Sequence, residues 1–337
     1  MKKISIPHEW TEQEAVWLTW PSMQTWWKGL QNEVCDRFAE LAALISQFEK
    51  VRINCNKDSI IFAKEKIIKA KGDISNVEFF EHDTNDVWCR DSGAIFGFNN
   101  NKLCALDFNY NSWGGKFPPF DKDNALARKM ASSQNAEVID ATHITCEGGA
   151  LEFSSNNYLL TTECVLLNKN RNPNLSKSDI ENFFKNTCGI EKIFWLKDGL
   201  VNDDTDGHID NIARFTPTNK IIVASCDKDN PSYAQLCENE NYLKENYFET
   251  ISLPVPKNPI LKNGEILPAS YVNYLVINNA VIMPSYNQKG SDNFAKNILS
   301  EIFTNHQIIS FDSSLFLQEG GAVHCLTQQQ PKNNGRA

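Results

Sequence analysis

The sequence predicts a mixed α/β fold built from one repeated strand-hairpin-helix unit, and three observations predict it. A strand, an Asn-rich turn and a second strand recur four times: SGAIFGF-NNN-KLCALDF (92–108), GALEF-SSNN-YLLTT (149–162), NIARF-TPTN-KIIVAS (211–225) and VNYLVI-NN-AVIMPS (272–285). Their turns centre near residues 100, 156, 218 and 278, so the spacings are 56, 62 and 60, long enough for each hairpin to carry a helix. No linker rich in Pro, Gly or Ser separates the copies. A unit that cannot bury its own apolar face must stack or close into a ring, so one closed domain is expected.

Taken in order, EAVWLTW (14–20) reads as a strand, QNEVCDRFAELAALISQFEK (31–50) as an amphipathic helix and VRINC (51–55) as a strand. With GGAVHCLT (320–327), also strand-like, they make a fifth unit from the two ends of the chain. DNALARKMASSQ (123–134) fits a helix less cleanly. SKSDIENFFKNT (176–187) opens with Ser176 in the N-cap position and Asp179 three residues on. SDNFAKNILSEIFTN (291–305) repeats that opening, with Phe294, Ile298 and Ile302 as its apolar face.

Composition removes several functions. The net charge of −9 opposes a nucleic-acid partner. No apolar run is long enough for a membrane span and no signal peptide is evident, so a cytoplasmic chain is expected. The 10 cysteines include no Cys-x-x-Cys, which argues against both a disulfide framework and structural zinc. Cys55 and Cys104, in apolar strand-like runs, read as small buried hydrophobes.

Polar residues that look out of place fall on or just before the first strand of each unit, where the centre of a ring would lie. These are Arg90-Asp91 in TNDVWCRDSG, Glu147 in CEGGALE, His208 and Asp210 in DDTDGHIDN, and Cys325 in QEGGAVHCLTQQQP. On a strand His208 and Asp210 share a face, whereas His324 points away from its neighbour Cys325. His208 is therefore the expected acid-base partner of that thiol. Alternatives stay open at this level: Cys325 as packing, His-x-Asp as a metal pair, and Asp203, Asp204 and Asp206 as a solvated or Asx-rich turn.

Together these motifs resemble the agmatine deiminases of the guanidino-group-modifying (pentein) superfamily, which are related in motif to bacterial peptidylarginine deiminases. The resemblance runs from IPHEWTEQEAVWLTWP (6–21) through TNDVWCRDSG (84–93), EGGALE (147–152), LLTTECVLLNKNRNP (159–173), TDGHIDNIARF (205–215) and ILPASYVNYLVINNAVIMPSYN (266–287) to GGAVHCLTQQQP (320–331). It implies a five-bladed, pseudo-symmetric α/β propeller as a single catalytic domain over 1–331, with 332–337 as a poorly ordered tail.

The resemblance also implies roles. Cys325 is the nucleophile at the central guanidinium carbon, His208 the acid-base group, and Asp91 and Asp210 the carboxylates that grip the planar cation through forked hydrogen bonds. Glu147 enters the site by its motif. Trp88 would wall the methylene chain and Asp204 would meet the distal ammonium of agmatine. No metal and no cofactor are implied, and a homodimer is a family-based expectation. Competing readings are deimination of free or peptidyl arginine, amidino transfer to an amine, and a non-catalytic binding protein on the same fold.

Overall fold

A computed structural model describes residues 3–21 and 27–333. Four of its sheets share one wiring, a hairpin whose second strand continues through a helix into a parallel third strand, and a fifth repeats it with an antiparallel pair made by strands distant in sequence. Ile95–Asn99 pairs antiparallel with Lys102–Asn109, which runs parallel to Glu137–Thr145. Glu152–Phe153, Tyr158–Thr162 and Lys192–Leu196 repeat that order, as do Ala213–Phe215, Ile221–Ser225 and Thr250–Pro254. Leu275–Ile277 adjoins Ala280–Ser285, which is parallel to Gln307–Asp312. In the fifth, Thr327–Pro331 pairs antiparallel with Gln13–Thr19, followed in parallel by Lys50–Cys55 and Val77–Glu81. A two-stranded ribbon, Leu261–Lys262 with Glu265–Ile266, completes the sheets of the described residues, and none of them closes on itself.

The recurrent asparagines have a backbone cause. Asn100, Asn101, Asn157, Asn219 and Asn279 all have positive φ in the hairpin turns. Asn tolerates the left-handed region better than most residues, and turns of that hand match the twist of the flanking strands.

Most of the expected helices form. Gln31–Ser46 buries Val34, Phe38, Leu41 and Ile45, and Lys177–Thr187 carries the full capping box between Ser176 and Asp179. The 123–134 stretch is two pieces, Asp121–Asn124 and Leu126–Ser133, with Ala125 at their junction. The last long helix differs from expectation. It spans Lys289–Ile302, and Asp292 accepts the backbone N–H of Tyr286 and Gln288 instead of supporting a Ser291 cap. Its buried face is Ala295 and Leu299, while Phe294 is 56% exposed. The GGAVHCLT segment is also not a strand until Thr327; Val323–Leu326 form a turn.

By backbone proximity the chain divides into two compact units. One holds Gly149–Val276 with Ala280–His324; the other holds the chain up to Gly148, Ile277–Asn279 and the segment from Cys325. In the second, Trp17 packs with Ala94, Phe96, Ala105, Leu126 and Met130, and its indole donates to Gln330 at 2.9 Å. Cys55 and Cys104 pack as expected, and burial pushes both thiols up to about 12. Of the expected tail 332–337, Lys332 and Asn333 donate to the carbonyls of Glu12 and Asn101, and 334–337 lie outside the described residues.

Candidate active site

In the unit that contains Cys325, three motifs meet on Arg90. Its backbone N–H donates to the carbonyl of Cys325 at 3.1 Å, and its guanidinium donates to Gln328 and Gln329 at 2.5 and 2.6 Å. Its own carbonyl is so close to Gly148 that a Cβ there would stand 2.1 Å from the oxygen. Glycine is therefore required directly after Glu147, because any side chain would displace one backbone or the other. The ion-pair neighbour Glu9 lies 3.9 Å away. Through Arg90 the sequence-distant residues Asp91, Glu147 and Cys325 are drawn into one neighbourhood, and all three are buried.

Asp91 sits in the single helical turn Cys89–Ser92, which opens directly after the buried Trp88. Ser92 donates to the Trp88 carbonyl through both its N–H, at 3.2 Å, and its hydroxyl, at 3.1 Å. A carboxylate oxygen of Asp91 accepts the indole N–H of Trp113 at 3.0 Å. Trp113 and Ser112 both have positive φ, 53° and 55°, a strained conformation for side-chain-bearing residues that is held by Asn111 accepting from Gly114 N–H and by Ser112 donating to the Phe117 carbonyl. Trp113 is not among the residues that the motifs single out. The NSWGG string, a large aromatic between turn-forming residues, was the available signal.

This neighbourhood is strongly acidic. The phenol of Tyr110 is held well above its ordinary value, first by burial and then by the charges of Asp123, Asp86, Asp91 and Glu147. Carboxylates gathered in a poorly solvated region favour a cation.

In the other unit, His208 is fully buried and follows Gly207, whose φ is +109°. A Cβ at Gly199 would stand 2.3 Å from the Gly207 Cα, so the two glycines let these backbones touch. Thr162 donates to the Gly207 carbonyl at 2.8 Å and His208 N–H donates to the Thr205 hydroxyl at 3.1 Å, which fixes the approach to the imidazole.

The strand expected for His208 and Asp210 does not form; Ile209–Asn211 is a 3₁₀ turn. Alternation therefore places neither residue, and it does not govern His324, which lies in a turn as well. Its Nδ1 lies 2.7 Å from a carboxylate oxygen of Asp210, both side chains being buried. Burial pushes the Asp210 carboxyl up, but the hydrogen bond and charge of His324, with the charges of His208 and Arg214, outweigh it and hold the group below its ordinary value. Arg214 is itself buried, paired with Glu152 at 2.7 Å and donating to the Tyr274 carbonyl at 2.9 Å.

The acidic loop separates into distinct functions. Asp203 accepts from the Thr205 N–H and hydroxyl at 2.9 and 2.6 Å, and burial raises its pKa against the opposing charge of His208. Asp206 pairs with the buried Arg171. Asp204 is exposed, and a Cβ at Gly320 would lie 3.6 Å from its carboxylate. Among the described residues no three His, Cys, Asp or Glu side chains are grouped to hold a metal ion, and no helix is long and apolar enough to cross a membrane.

Comparison with known proteins covers nearly the whole chain. Residues 5–331 match the family described as Porphyromonas-type peptidyl-arginine deiminase. The agmatine deiminase of Pseudomonas fluorescens is 30% identical over 359 residues, covering 97% of this chain and 95% of that protein. A solved structure of a Cys-to-Ser C. jejuni agmatine deiminase with substrate bound has 36% identity and a TM-score of 0.89, covering 98% of this chain and 96% of that one. The agmatine deiminase of Enterococcus faecalis superposes with a TM-score of 0.91 at 26% identity, again over 98% and 96% of the two chains.

Proposed function

Because the chain belongs to the Porphyromonas-type peptidyl-arginine deiminase family, we propose that it is an agmatine deiminase, hydrolysing agmatine to N-carbamoylputrescine and ammonia. The observation that carries this reading is full-length similarity to agmatine deiminases together with two buried, oriented carboxylates, Asp91 held by Trp113 and Asp210 held by His324. A planar cation bearing several N–H donors is what such carboxylates bind.

In this mechanism Asp91 and Asp210 accept guanidinium N–H bonds and hold the central carbon before the sulfur of Cys325. The thiolate forms a C–S bond while a C–N bond breaks, and His208 gives its proton to the departing nitrogen, which leaves as ammonia. The amidino-cysteine that remains is attacked by water, with His208 now taking the proton. Collapse of that adduct breaks the C–S bond, returns the thiolate and releases the ureido product. Glu147 adds negative charge beside the cation, Trp88 lines the methylene chain and Asp204 meets the distal ammonium. This chemistry needs no redox cofactor, since the steps exchange only protons and C–N, C–S and C–O bonds at a carbon whose oxidation state does not change.

The common wiring of the five sheets supports their assembly as a five-bladed α/β propeller and one catalytic domain over 1–331. Cytoplasmic location and a homodimer are further parts of the proposal, the latter tested by sedimentation. The function is tested by ammonia release from agmatine, arginine and an arginyl peptide side by side, with Cys325→Ala as control. Agmatine is expected to be the preferred substrate, and the Ala variant to fold but lose turnover. Preference for the arginyl peptide would replace agmatine with the substrate in the family's description, and preference for free arginine would make arginine the substrate.

A further inference from the structure

We propose that His324 is a positioning residue that aims the Asp210 carboxylate at the substrate guanidinium through its Nδ1–H. The inference rests on the proposed deiminase reading. Sequence alternation made His324 the less useful of the two histidines, and the reaction as written gives it no step.

The geometry is specific. His324 Nδ1 stands 2.7 Å from Asp210 Oδ2, and the two side chains are almost wholly buried. An ionised carboxylate only accepts, so the proton of that bond belongs to Nδ1 and the ring tautomer is fixed by Asp210. The backbone is fixed by the same segment that supplies the carboxylate. His324 N–H donates to the Asn273 side-chain oxygen at 3.1 Å, the Asn273 amide donates to the Asn211 side-chain oxygen at 3.0 Å, and Ser270 donates to the Asn211 carbonyl at 2.8 Å.

Both ends of the imidazole-carboxylate bond are therefore anchored, one through Asn273 and the other through the turn Ile209–Asn211. A carboxylate on a short side chain has one strong torsional freedom that matters for a bidentate grip, its rotation about the Cβ–Cγ bond. A hydrogen bond to one oxygen in a buried site sets that rotation. His324 also carries, one peptide bond later, the nucleophile itself.

A space-filling role alone makes a different prediction from an orienting one. Asn places its side-chain nitrogen near the position of Nδ1, while Leu fills comparable space without a donor. The measurements are kcat and KM for agmatine and for arginine with His324→Leu, His324→Asn, Asp210→Asn and the His324→Leu/Asp210→Asn double variant, with thermal unfolding of each. His324→Leu is expected to lower kcat/KM at least about thirtyfold and His324→Asn to recover at least about tenfold of that, as expected when residues act as one unit. In the Asp210→Asn background, His324→Leu should cost less than about threefold further.

Full additivity of the two substitutions, or a His324→Leu enzyme within about threefold of wild type, overturns the proposal. Should the Leu variant not fold, nitrogen NMR of histidine-labelled wild type decides: a protonated Nδ1 on His324 whose signal shifts in Asp210→Asn supports the bond, and an unprotonated Nδ1, or one indifferent to that substitution, overturns it. A wild type silent on every guanidine would overturn the deiminase reading, and with it the aim of the carboxylate. An active wild type with an equally active Leu variant overturns the positioning role alone.

Discussion

The indole of Trp113 donates to the carboxylate of Asp91 at 3.0 Å, from a backbone held at positive φ. A strained aromatic residue that satisfies a buried carboxylate is doing more than filling space, since the bond sets which way the acceptor faces. Trp113→Phe keeps the ring and loses the donor. Its kcat/KM for agmatine is expected to fall by about tenfold or more, as for a lost bond to a charged group, and an unchanged value would show that Asp91 is oriented without it.

Gly148 is tested by the smallest possible side chain. With a Cβ only 2.1 Å from the Arg90 carbonyl, Gly148→Ala must shift one of two backbones that carry Glu147, Asp91 and the contact to Cys325. Denaturant unfolding should show a loss of about 2 kcal/mol or more, in the range of overpacked sites, with a fall in kcat larger than any change in KM. A variant as stable and active as wild type would contradict the close approach.

Asp204 is the exposed member of its loop, its neighbours Asp203 and Asp206 being engaged by Thr205 and Arg171. Asp204→Asn is expected to raise KM for agmatine about three- to tenfold with kcat retained, the pattern of lost uniform binding. Discrimination against arginine should narrow in the same variant. No change in either substrate's KM would assign the distal ammonium to another group.

The carboxyl of Asp123 is pushed up to about 7 by burial, with partial relief from the N–H groups of Asn85 and Asp86. A folded value raised above the ordinary 3.8 means the folded state holds this proton more tightly than the unfolded chain does. Its contribution is full below that ordinary value and is lost as pH rises toward 7. Urea unfolding of wild type and Asp123→Asn from pH 4 to 8 reads this as a difference. The variant should gain on wild type with rising pH, by up to the order of 4 kcal/mol from the size of the shift, and parallel curves would refute it.

How much was legible in the sequence follows from how local each cause is. The hairpins were readable because Asn at a left-handed turn is a one-residue signal, as at Asn100 and Asn279. The helix Lys177–Thr187 was readable because its capping box lies within four residues. Helix Tyr233–Glu245 was not, since only Leu236, Asn239 and Leu243 are buried and no clear apolar stripe marks it. The buried face of Lys289–Ile302 is not legible from apolar spacing, because tertiary fit turns Ala295 and Leu299 inward and leaves Phe294 exposed. His208 and Asp210 stand out in the sequence by residue type, but a shared direction on a strand does not follow where the backbone makes a 3₁₀ turn. Trp113 and His324 act through partners 22 and 114 residues away in the chain, which no spacing rule reaches.

The pairing of Thr327–Pro331 with Gln13–Thr19 has a consequence for biogenesis. On the ribosome Gln13–Thr19 must wait, with one edge open, until the strands between it and Thr327 have emerged, and only then does Thr327–Pro331, two residues after Cys325, dock beside it. A nascent chain that stops short of Thr327–Pro331 would carry Asp91, Glu147, His208 and Asp210 while one edge of Gln13–Thr19 still lacks its antiparallel neighbour, so that sheet is completed only by residues far downstream.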